Sequence, residues 1–109
     1  MTRDPLDMLG QLAGLRADRS AARLAKVQVL IDRLQGKLDA LRNAAPGTPG
    51  SIAEAVMRDR WHRWRAGQIA ELNLQIARLE GIAQPHREAH ARDAARQAVL
   101  ERLKKKARR

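Results

Sequence analysis

The sequence predicts an all-α protein: two long helices forming an antiparallel coiled-coil hairpin, with the second helix the longer. Three observations predict it. Aliphatic residues recur at heptad spacing in two long blocks, and one Pro/Gly-rich segment, 44–50, separates those blocks. The composition is 44% hydrophobic, 31% charged and only 2% aromatic, and Ala, Leu and Arg dominate it. Such chains read as long helices rather than as a compact mixed core. A short loop between two helices makes them antiparallel neighbours. The 109 residues read as one domain: helix 5–43, loop 44–50, helix 51–107.

The first helix opens at "RDPLD". Asp4 is a good N-cap, Pro5 suits the first helical position, and Asp7 favours the positive end of the helix dipole. From Leu24 the apolar residues Val27, Ile31, Leu34, Leu38 and Leu41 alternate at spacings of three and four, a heptad seam. Upstream the stripe is looser, passing through Leu9, Leu12 and Leu15 and then Ala17, Ala21 and Ala22. "AAPGTPG" carries two Pro and two Gly and ends the helix. Ser51 and Glu54 then have capping-box spacing and start the second helix. Ile69, Leu72, Ile76, Leu79 and Ala83 continue a heptad stripe along it.

A tight turn would place residue 43 opposite 51, so that facing residues sum to about 94. In that register Trp61 and Trp64 lie near Arg33, Leu30 and Ile31. Leu72 and Ile76 meet the 17–22 stretch, and Leu79 and Ala83 meet Leu15 and Leu12. The helices would span ~58 Å and ~85 Å at 1.5 Å per residue. Residues 91–109 would therefore project as a single helix. Pro85 deletes one backbone hydrogen bond and presses on the carbonyl of Gly81, so a kink is expected there. The alternative is a full break, with 86–107 folding back as a third helix.

Cysteine is absent, which excludes disulfides and thiolate metal sites. No apolar run approaches the ~18 residues of a membrane span, and no signal-peptide core follows Met1, so the expected compartment is the cytoplasm. The net charge is +10, and the last nine residues, "ERLKKKARR", hold six basic groups against one acid.

Enzymatic chemistry finds no support. There is no Gly-rich phosphate loop, and Ser20 and Ser51 have no evident base partner. A thin hairpin offers no concave substrate pocket. No catalytic residue, cofactor or metal site is expected. His86, His90 and Asp93 share one helix face and have ligand chemistry. The same positions continue the stripe from Ala83, so they read as a seam turning polar where its partner helix ends.

Trp61 and Trp64, the only aromatic residues, share one face within the basic stretch "DRWHRWR". They can cover the seam, anchor a partner protein, or stack on bases. The tail has an apolar strip of Ala91, Ala95, Ala98, Val99 and Leu103, with Leu100 beside it, next to a cationic end. A basic amphipathic helix with no mate in its own chain reads as a docking element.

"LAGLRADRSAARLAKVQVLIDRLQGKLDALR", a Pro/Gly turn, a longer helix with an aromatic near its start, and the ending "ARDAARQAVLERLKKKARR" together resemble the FliJ/YscO family. These are the stalk proteins of flagellar and type III secretion export ATPases. The resemblance implies an antiparallel coiled coil in the pore of the hexameric export ATPase, coupling it to the export-gate protein. It also implies contact with export chaperones, placing the chain at the cytoplasmic face of the inner membrane through its partners. The matching C-terminal segment is Val99, Leu100, Arg102, Leu103, Lys104, Lys105, Lys106, Arg108 and Arg109.

The reading is thus a non-enzymatic coiled-coil assembly protein. One alternative is a small basic coiled coil that binds nucleic acid. A third is an intermolecular coiled coil that scaffolds another complex. A thin hairpin buries little surface, so a partner or self-association is expected to support it.

Overall fold

The computed structural model describes residues 4–108. Two long helices form, α1 (Pro5–Asn43) and α2 (Ile52–Ala107), and no strand occurs among the described residues. Asp4 caps α1: its Oδ1 accepts from the Leu6 N–H at 3.1 Å, and its carbonyl accepts from Met8 at 3.2 Å. Ser51 caps α2, its Oγ accepting from the Glu54 N–H at 3.1 Å. Glu54 reaches back to the N–H of Gly50 rather than to that of Ser51. Together these bonds satisfy amides that a helix start leaves open.

α2 is continuous through Pro85. A third helix over 86–107 therefore does not form. At Pro85 the helix forgoes one N–H···O=C bond, the one that would reach the Gly81 carbonyl.

The chain makes two compact units: Met1–Gln28 with Gly81–Arg109, and Val29–Glu80. In the second unit the seam is apolar. Ile31 and Leu38 are buried at 5% and 2% exposure, and Leu34 and Leu41 are half-buried. On α2 the half-buried positions Ile69, Leu72, Ile76 and Leu79 alternate at the same three-and-four spacing. These are the heptad positions of the sequence.

The register differs from the sum of 94. Arg65 donates to the carbonyls of Leu41 at 3.5 Å and Ala44 at 3.2 Å, whereas that sum puts Val29 opposite it. The reason lies in the linker. Residues 44–49 carry no regular structure, and Pro46 through Pro49 lie beside Ala53, Met57 and Trp61 along the first turns of α2. Proline fixes φ and removes a donor, so the segment does not close a tight turn. The eight residues between the helices, 44–51, can reach roughly 25 Å at about 3.1 Å each. The same distance is roughly 16 residues of helix. The linker therefore shifts the pairing by about four helical turns.

In the first unit Asp7 pairs with Lys104 at 3.3 Å, Ser20 with His90 at 3.2 Å, and Gln28 with Arg87 at 3.5 Å. Numbers rise along α1 as they fall along α2, the sense of an antiparallel pair. Residues 91–109 were expected to project as a single helix. Instead, the described part of that stretch packs against the start of α1. The shifted register supplies the mate that the tight-turn register denied it.

The inner face of this unit is mostly small and polar, with Leu24, Val27 and Leu100 as half-buried aliphatic side chains among the small ones. Gly10, Ala17 and Ser20 are buried on α1, with Ala13 and Gly14 half-buried. On α2 Ala83 is fully buried, and His86, His90, Asp93, Gln97, Leu100 and Lys104 are half-buried. Leu9, Leu12 and Leu15, expected to lie along the stripe, are instead 49%, 62% and 61% exposed.

Candidate functional site

Three features have the chemistry to engage a partner: the tryptophan pair, the cationic tail, and a groove on the outside of the first unit.

Trp61 and Trp64 part company. Trp61 is half-buried, while Trp64 is 54% exposed. The Trp61 ring lies beside the Pro46–Pro49 linker, meets His62 edge-on with centroids 5.2 Å apart, and carries the Arg65 guanidinium at 5.1 Å. That cation also binds the carbonyls at the end of α1, where positive charge complements the dipole. Trp61 thus covers the linker and holds a capping side chain, rather than covering Leu30 and Ile31. Trp64, three residues on, remains open to a partner.

Ser20 does have an imidazole beside it, which the sequence reading missed because the pair is 70 residues apart. Its Oγ donates to the carbonyl of Ala17 at 3.0 Å. A hydroxyl has one proton, so the bond to His90 requires Nδ1–H as donor. The hydroxyl oxygen is 7% exposed as part of Ser20 and its proton is committed to the backbone, so it does not face a pocket as an activated nucleophile. Among the described residues no group of three or more His, Asp or Glu side chains gathers at metal-binding distance. His86, His90 and Asp93 sit along the seam, not where the partner helix ends.

The tail residues divide in a similar way. The Lys104 ammonium is paired with Asp7 and rests over Gly10, where an added Cβ would lie 2.7 Å from Nζ. Its side chain is only 19% exposed. Arg102, Lys105, Lys106 and Arg108 are exposed. Arg109 lies outside the described residues. Val99 and Leu103 are 53% and 45% exposed, and Leu100 is half-buried.

The groove is open and has a volume of about 760 Å³. Leu9, Leu12 and Leu15 line it from α1, and Val99 and Leu100 from α2. Arg16, Arg19 and Arg96 flank these side chains, together with Asp93, whose carboxylate lies 4.0 Å from Arg96. Apolar floor and cationic rim suit a ligand with an apolar ridge and negative flanks. Neither described helix is long and apolar enough to cross a membrane.

No protein-family model matches the chain, and neither curated proteins nor solved structures give a match.

Proposed function

We propose that the protein is a non-enzymatic coiled-coil stalk of a flagellar or type III secretion export ATPase complex, coupling the ATPase ring to the export gate at the cytoplasmic face of the inner membrane. The observation that carries this reading is the outer face of α2. There Arg102, Lys105 and Lys106 stand exposed beside Val99 and Leu103 near the end of a helix of 56 residues, with exposed Arg108 just past it. A helix with an apolar strip and a cationic end suits a protein contact that needs both. The resemblance in the heptad pattern and the ending "VLERLKKKARR" supplies the particular partners: the hexameric ATPase, the gate protein and export chaperones.

The test is a pull-down of the cognate export ATPase and gate protein beside a DNA mobility-shift assay. Wild type is compared with Val99→Ala/Leu103→Ala and with Lys105→Ala/Lys106→Ala. Under this reading both variants lose the protein partner, and DNA binding is weak throughout. A phosphate-binding surface needs only its cations. Tight DNA binding that survives the apolar variant and vanishes with the lysine variant would replace the stalk with the basic nucleic-acid-binding coiled coil. Lys104 is left intact because it is already paired within the chain.

A further inference from the structure

The groove of the first unit carries an inference that stands without the stalk reading. Its floor is built from Leu9, Leu12 and Val99 on the outside of both helices, while Gly10, Ala17, Ser20 and Ala83 fill the buried positions between them. Leaving these leucines in water is unfavourable in the isolated chain. An occupant of the groove removes that penalty.

Shape and charge select the occupant. From Leu9 to Arg19 the groove follows α1 for about 15 Å, the length of three helical turns. A concave channel between two helices receives a convex rod. A flat bilayer would touch only its rims. Arg16, Arg19 and Arg96 outnumber Asp93, which already faces Arg96. A second copy of the chain, itself at +10, would bring like charge to this rim. A nucleic acid would use the arginines but not the leucines. We propose that the groove is a docking site for an acidic amphipathic helix of about three turns, with its apolar ridge against Leu12 and Val99 and its carboxylates on Arg16, Arg19 and Arg96.

The probe is a fluorescent three-turn peptide with leucines at i, i+3, i+4 and i+7 and glutamates on both flanks. Its anisotropy is followed on the full chain. Controls are the same peptide with lysine flanks, a scrambled-order version, and vesicles of anionic lipid. Leu12→Ser/Val99→Ser changes two exposed side chains, so the helical circular dichroism should persist, and affinity should fall at least ~10-fold. Arg16→Glu/Arg19→Glu should weaken the glutamate peptide similarly and strengthen the lysine peptide. That reversal of preference requires a folded groove, so it guards against a variant that merely fails to fold. The proposal is overturned by no binding, by equal binding to the scrambled peptide, or by affinity indifferent to both variants. It is also overturned if Leu12→Ser/Val99→Ser abolishes vesicle binding while the peptide never binds, which makes the face a lipid surface. Sedimentation showing a dimer that Leu12→Ser/Val99→Ser dissociates would assign the groove to a second copy instead.

Discussion

The two units use the same heptad spacing for opposite ends. In Val29–Glu80 the inner positions are Ile31, Leu34, Leu38, Ile69, Leu72 and Ile76, so the seam itself is the core. In the other unit the inner positions include Gly10, Ala17, Ser20, His90, Gln97 and Lys104, while Leu9, Leu12 and Leu15 face outward. Size complementarity replaces hydrophobicity there. Lys104 lies over Gly10, Gln97 approaches Gly14, and His90 meets Ser20. Burying polar groups is tolerable because they are paired: no buried side-chain N or O among the described residues lacks a partner. Heptad phase, not the placement of leucine, decides which face goes inside. In one unit the buried heptad positions include Ile31 and Leu38, and in the other Leu9, Leu12 and Leu15 stay exposed.

An all-or-none test of that phase uses the absence of cysteine. Ser20→Cys with His90→Cys places two thiols across the seam where Oγ and Nδ1 are 3.2 Å apart, so mild oxidation should cross-link them within one chain. Ser20→Cys with Leu74→Cys, the pair demanded by the tight-turn register, should stay reduced. If the second pair cross-links and the first does not, the register described above is wrong.

Leucine truncation should separate the units by the next largest margin. Leu38→Ala empties a site only 2% exposed and should cost about 2–5 kcal/mol in urea unfolding followed by circular dichroism. Leu12→Ala, at 62% exposure, should stay within about 0.5 kcal/mol. Equal losses would mean that Leu12 is part of the fold and not of a docking face.

Arg65→Ala removes a cation that caps α1 and covers Trp61. A loss of about 1–2 kcal/mol is expected, together with a red shift of tryptophan emission as the ring of Trp61 meets water. No change in either would show that the linker is held by other contacts.

The smallest contrast lies in the glycines. Gly36 has nothing within 4 Å of an added Cβ, so Gly36→Ala should stabilise by about 1 kcal/mol through helix propensity alone. At Gly10 the same change must displace the Lys104 ammonium from a 2.7 Å approach and disturb its pair with Asp7, so the gain should be smaller or absent. Thermal melts of the two single variants decide it. Equal gains would mean that Lys104 can sit elsewhere at no cost.

Local sequence signals are enough to specify the two helices, their caps at Asp4 and Ser51, the linker, and the apolar seam from Leu24 to Leu41 and from Ile69 to Ala83. These follow from local propensity, capping chemistry and a period repeated often enough to be unambiguous. The sequence also held the inner face of the first unit, had the heptad been counted back from Leu24 to Ser20, Ala17, Ala13 and Gly10. The leucines at 9, 12 and 15 disguised it, because they form a second helical stripe about 100° around the same helix. A rigid helix cannot switch faces without a stutter in its repeat, so the phase set at Leu24–Leu41 prevails. Tertiary structure alone decided the register. That depended on whether the eight residues between the helices close a turn or run back along α2, which no helix pattern encodes. From the register came the rest: Lys104 over Gly10, His90 beside Ser20, Trp61 against the linker, and a groove lined by leucines that the seam leaves outside.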